Sequence, residues 1–238
     1  MCLECVATGI NRRSLLLSLA GAGFAAATLS RGAFAATPAE GALSPDEALA
    51  KLKAGNEKFV ADANACAAHL ADQRKQAAKG QAPWATILSC SDSRVPPELV
   101  FGGVNLGELF VIRNAGNVLE TNGLGTIEYG AEHLLAPLVV VMGHKNCGAV
   151  VAACEVAKNG TAFGGSIDRM IEPIVPVALA NVREAGDFVD NTVRANAIRG
   201  AARIVAESAI IAAMVKRGTV KVVPAYYDLD SGRVDFLA

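Results

Sequence analysis

Leu138-Val139-Val140-Val141-Met142-Gly143-His144-Lys145-Asn146-Cys147 is the stretch whose reading decides the fold. Five consecutive apolar residues, three of them valine, read as a strand buried on both faces that ends at Gly143-His144. Ala85-Thr86-Ile87-Leu88-Ser89 has the same character and runs straight into Cys90-Ser91-Asp92-Ser93-Arg94, and Leu109-Phe110-Val111-Ile112 is a third such run. Helical patterns fall between and after them: Leu124 to Leu135, Cys147 to Lys158 and, beyond a loop at Gly160 and Gly164-Gly165, two helices over about 166–184 and 187–217. The chain closes with a strand over Val220–Asp228 and a turn at Asp230-Ser231-Gly232 that returns it through Val234-Asp235-Phe236. Apolar strands alternating with helices predict an α/β fold, a mainly parallel β-sheet flanked by helices.

Upstream of the sheet, Ser44-Pro45-Asp46-Glu47 is a helix start: a serine cap, a proline in the first turn and a glutamate placed to close a capping box. An N-terminal helical arm follows and stops at Gly80. It has few large apolar residues, so it is expected to pack on another subunit or along the domain edge.

The first 35 residues read differently. Arg12-Arg13 precede an apolar run from Ser14 to Ala27, and Ala33-Phe34-Ala35 supplies small residues at a cleavage site. A basic start, an apolar centre too short to span a bilayer and an A-x-A end describe an export signal. The paired arginines point to the twin-arginine route and to a periplasmic destination. The expected organisation is therefore a signal peptide over 1–35, a linker over 36–43 and a single domain over 44–238. Cleavage removes Arg12, Arg13, Arg31 and Glu4, leaving 19 basic against 22 acidic residues, a net charge of −3. Without a basic stripe, nucleic acid is not an expected partner. No other apolar run is long enough for a stable membrane span.

Six cysteines stand at 2, 5, 66, 90, 147 and 154. Cys2 and Cys5 form a C-x-x-C inside the segment expected to be removed, and Cys66 and Cys154 read as core or surface thiols. Cys90 and Asp92 lie just past the end of one strand, and His144 and Cys147 just past the end of another. Ligands of open parallel sheets bind beyond the carboxyl ends of the strands, so neighbouring strands would bring these four side chains together. Two thiolates and an imidazole form a borderline-soft donor set that favours zinc over magnesium or calcium. The fourth position then takes water or Asp92, and a purely structural zinc is the alternative. Arg94 argues for catalysis, because a bidentate pair with Asp92 would hold the carboxylate off the metal and leave that position open. Zinc with an open position lowers the pKa of bound water toward ~7, so the expected nucleophile is zinc-bound hydroxide.

Cys90-Ser91-Asp92-Ser93-Arg94-Val95 resembles the C-S-D-S-R-V signature of β-class carbonic anhydrases, and Gly143-His144-Lys145-Asn146-Cys147-Gly148 resembles their G-H-x-x-C-G. Gly107 through Asn117 and Ile127-Glu128-Tyr129 also fit that family, so the resemblance covers nearly everything from Ser44 onward. It implies one zinc per subunit on Cys90, His144 and Cys147, with Asp92 a ligand only in a closed form. It further implies an Asp92–Arg94 catalytic dyad and reversible hydration of carbon dioxide to bicarbonate and a proton. Gln81, Phe110 and Tyr129 stand where the family builds its substrate pocket, with Val95 on the apolar side. The family's glutamine characteristically reaches in from a partner subunit, which implies a homodimer or homotetramer. Ile87 replaces a tryptophan that accompanies the closed form in some members, so the open form is expected. Hydrolysis of carbonyl sulfide or carbon disulfide, and a non-catalytic zinc-binding role, are the rival readings.

Overall fold

A computed structural model describes residues 42–63 and 70–237. The export-signal reading, Cys2, Cys5 and Cys66 fall outside those residues. Helix α1 (Pro45–Ala61) begins with the capping box that its sequence encodes: Ser44 Oγ accepts from the Glu47 amide, and the Glu47 carboxylate takes the Ser44 amide at 2.8 Å. After α2 (Leu70–Ala77) come β1 (Ala85–Ser89), the single turn α3 (Pro97–Val100) and β2 (Leu109–Arg113). A 3-10 turn over Ala115–Asn117, α4 (Thr121–Glu132), β3 (Leu138–His144) and α5 (Gly148–Asn159) follow.

The stretch expected to form two long helices forms four: α6 (Gly165–Ile171), α7 (Val175–Asn181), α8 (Phe188–Glu207) and α9 (Ala209–Lys216). The breaks are local. Pro176 sits at the first turn of α7, where it starts a helix and cannot continue one, and Ser208 ends α8 in an extended conformation while its Oγ caps α9. Strands β4 (Lys221–Tyr227) and β5 (Val234–Phe236) close the chain.

The sheet order is β2-β1-β3-β4-β5, with every pairing parallel except the antiparallel return of β5 on β4. All seven residues of β3 and all five of β1 are buried, as the unbroken apolar runs require. From β1 the chain goes to β2 on one side and then to β3 on the other. The carboxyl ends of β1 and β3 are thus a topological switch point, where a crevice opens between diverging connections.

Helix α1 packs on its own chain. Ala48 and Leu52 are fully buried in a cluster with Trp84, Ile87, Val95 and Met142. Asn56, one turn on, donates to the carbonyls of Val100 and Gly232 and accepts from the Val234 amide, fastening the helix to both α3 and the final hairpin. Among the described residues no helix is long and apolar enough to cross a membrane.

Candidate metal centre

At the switch point the donor atoms of Cys90, His144 and Cys147 all lie within 4.8 Å of one another, and all three residues are buried. Each arrives by a different local device. Cys90 leaves β1 directly, and its sulfur accepts the Gly116 amide at 3.4 Å. Gly116 takes a left-handed φ of 77°, and a Cβ there would stand 2.6 Å from Ile174 Cδ1, so only glycine brings that N–H to the sulfur without strain. The Gly116 carbonyl is held from behind by the buried Asn196 side chain at 3.0 Å. His144 is the last residue of β3 and belongs to the ladder, paired with Tyr227. Cys147 is the N-cap of α5, where the hydrogen bond with Cys90 and burial push its thiol up while the amides of Val150 and Ala149 draw it down. Asn146 supplies the left-handed residue that the turn between them needs, with φ 52°.

The donor chemistry fits a zinc ion. The sulfurs of Cys90 and Cys147 are 3.8 Å apart. The hydrogen bond between them is the largest influence on both thiols, drawing the Cys90 thiol down and pushing the Cys147 thiol up. Two sulfurs that share a proton in this way suit a dication in its place. His144 Nδ1 lies 3.0 Å from the Lys145 carbonyl oxygen. A carbonyl only accepts, so Nδ1 carries the hydrogen and Nε2 presents a lone pair. That Nε2 is buried and has no hydrogen-bond partner among the described residues. Its orphaned lone pair beside two thiols is the mark of a metal ligand whose other nitrogen is oriented by a carbonyl. The Lys145 peptide is itself fixed, its amide donating to the Tyr227 carbonyl at 2.9 Å.

Asp92 stands beside this cluster, with Oδ2 3.8 Å from His144 Nε2. Its carboxylate takes three donors from Arg94: Nε at 2.9 Å and the backbone amide at 2.9 Å on Oδ1, and Nη2 at 2.7 Å on Oδ2. The Arg94 side-chain hydrogen bonds hold the Asp92 carboxyl well below the usual carboxylate range, so the group is ionised whenever the fold is intact. The side chain of Asp92 is 17% exposed and that of Arg94 57%, which leaves the guanidinium reachable from solvent.

The pocket residues fall elsewhere. Val95 is fully buried in the core beneath α1. Gln81 precedes β1, at the opposite end of that strand from Cys90. Phe110 pairs in register with Thr86, again toward the amino end, and its ring lies 6.1 Å from that of Tyr129, which is 49% exposed. Cys154 is a core thiol that donates to Thr192 Oγ1 at 3.6 Å. Sequence reasoning missed the parts played by Asn196 and by the Gly116 amide. Gly116 sits inside a quoted motif, whereas Asn196 arrives from α8 with no local signal.

The family model described as "Carbonic anhydrase" matches residues 85–234. Carbonic anhydrase 2 of Mycobacterium tuberculosis is 38% identical over 190 residues, covering 80% of this chain and 91% of that protein. Among solved structures, a tetrameric β-carbonic anhydrase of Sordaria macrospora is similar at TM-score 0.63 and 25% identity, covering 69% of this chain and 85% of that one. A Coccomyxa β-carbonic anhydrase solved with acetazolamide is similar at TM-score 0.60 and 28% identity, over 79% and 83% of the two chains.

Proposed function

The chain belongs to the carbonic anhydrase family, and from that membership we infer that the cluster at the carboxyl ends of β1 and β3 is the seat of its reaction. That reaction is the reversible hydration of carbon dioxide to bicarbonate and a proton, with one zinc ion per subunit. One observation carries the assignment: His144 Nε2 is buried without a partner between two thiols, while the one nearby carboxylate is engaged by Arg94. Cys90, His144 and Cys147 would hold the zinc, which when bound would supply a Lewis acid able to acidify water toward a pKa of ~7. Asp92, kept ionised, only accepts. Its Oδ2, 3.8 Å from His144 Nε2, would accept a hydrogen bond from an O–H placed beside the cluster and so orient it for reaction with carbon dioxide. Arg94 keeps Asp92 from taking up the proton itself.

The test is stopped-flow carbon dioxide hydration by the zinc-loaded chain beside Asp92→Ala. Turnover should fall by about 100-fold or more in the variant with zinc retained. A wild-type chain that holds zinc and gives no turnover at any pH would remove the assignment.

Two finer readings complete the proposal. The first is a homodimer or homotetramer in which Gln81, Phe110 and Tyr129 act on a neighbour's metal. Its support is distance: β1 has five residues at ~3.3 Å each, so Gln81 lies roughly 16 Å or more from Cys90 within one chain. The second is export by the twin-arginine route to the periplasm with residues 1–35 removed, supported by Arg12-Arg13, the short apolar run and Ala33-Phe34-Ala35. A reporter fused to residues 1–40 should stay inside cells that lack that pathway.

A further inference from the structure

Arg113 is the last residue of β2, on the sheet edge, paired in register with Ser89. Its side chain turns back over the end of β1. Nε donates to the Cys90 carbonyl at 2.9 Å, and Nη2 donates to the Asp92 carbonyl at 2.5 Å. One guanidinium thus spans the backbone on both sides of Ser91, from a metal ligand to the dyad carboxylate. The ladder adds a third tie, the Ser91 amide donating to the Asn114 carbonyl at 3.2 Å. The Asp92 carbonyl also accepts the Val95 amide at 3.0 Å, so both of its lone pairs are filled.

This bracing matters because the Asp92 carboxylate stands so close to the ligand cluster. Arg94 fixes the carboxylate relative to the next turn, but Arg94 is an exposed side chain two residues away on the same loop. It moves with the loop and cannot anchor it. Asp92 Oδ2 already lies 3.8 Å from His144 Nε2, so a small inward shift of the Cys90–Asp92 backbone delivers the carboxylate to the ligand cluster. The other side-chain hydrogen bonds that tie this loop to a different strand are those of Arg113, whose planar fork matches two carbonyls at fixed spacing in a way that a lysine ammonium does not.

We propose that Arg113 is a positioning residue for the reaction: it fixes the Cys90–Asp92 backbone so that the Asp92 carboxylate stands beside the metal and does not ligate it. The proposal rests on the functional reading above. It assigns to Arg113 the separation between a working dyad and a carboxylate-capped metal.

The experiment uses the full chain with cobalt(II) in place of zinc, because cobalt absorption reports coordination independently of turnover. Inorganic azide serves as the probe of an exchangeable fourth position. The wild type should change its visible spectrum on adding azide. Arg113→Ala and Arg113→Lys should each keep one cobalt per chain, lose the azide response, and lose about 10- to 100-fold in kcat when zinc-loaded. Adding Asp92→Asn to Arg113→Ala should restore the azide response without restoring turnover, which a merely structural role of Arg113 does not predict. Unchanged spectra, azide response and kcat in both single variants would overturn the proposal. So would loss of the metal from Arg113→Lys at an unchanged melting curve, since Arg113 would then be holding Cys90 and not Asp92. If Arg113→Ala fails to fold, Arg113→Lys decides. If the wild type does not hydrate carbon dioxide, the functional reading falls, and the spectra still decide Arg113.

Discussion

The carboxyl end of β1 and its amino end are built on opposite principles. At the carboxyl end, Cys90, His144 and Cys147 are buried, every supporting group comes from the same chain, and left-handed residues at 116 and 146 are accepted to aim donors at one point. At the amino end, Phe110, Thr121, Asn122, Thr126 and Tyr129 line an open groove of about 460 Å³ in which Phe110 is half-buried and Tyr129 exposed, with exposed Gln81 before the same strand. The candidate metal ligands and their braces gather at one end of β1, whereas the pocket residues lie at the other end, away from them. A metal site demands sub-ångström placement and is made from one rigid sheet end. A substrate wall needs only shape, and a second copy can provide it.

The largest effect should come from attacking the cradle. Cys147→Ser replaces a thiolate with a poor zinc ligand. Zinc affinity in a chelator competition should drop by more than the roughly 10–100-fold typical of outer-sphere partners, with activity lost in parallel. Retention of zinc by this variant would mean that the cradle is not the metal site. The two-copy reading is exposed to a mixing experiment. Gln81→Ala and Asp92→Ala subunits, each impaired alone, should regain activity when dissociated and reassembled together, toward roughly one quarter of wild-type sites for random pairing in a symmetric dimer. No recovery would place Gln81 outside the neighbour's site.

Smaller changes set the two ends against each other. Gly116→Ala forces a left-handed alanine against Ile174 beside the metal ligands. It should cost about 1–2 kcal/mol of stability and weaken zinc binding as well. Gly130→Ala acts at the far end, where the added Cβ would meet Thr86 Oγ1 at 2.5 Å and Phe110 Cδ1 at 3.1 Å. Overpacking of about 1–3 kcal/mol is partly offset by better helix propensity, so the net loss should be about 1 kcal/mol. Zinc affinity should not change. A Gly130→Ala chain with weakened zinc binding would show that the two ends are not independent.

What the sequence determined by itself were the parts specified by near neighbours. The buried strands were legible because a strand covered on both faces leaves no polar position in a run such as Leu138–Met142. The α1 start was legible because Ser44 and Glu47 satisfy each other's backbone within four residues. The cluster of candidate ligands was legible because each pair lies within four residues at a strand end. Other features were decided only by tertiary structure, since they depend on groups far apart in the chain. Nothing near Asn196 announces that its amide holds the Gly116 peptide 80 residues away, nor does anything near Asn56 foretell its clasp on Gly232. The division of 166–217 into four helices lies between the two cases, since Pro176 and the Ser208 cap are local breaks that the apolar pattern passes over. The tautomer of His144 and the bracing of Asp92 by Arg113 likewise required the sheet to form first. A carbonyl's direction is a property of the folded backbone and not of the residue that carries it.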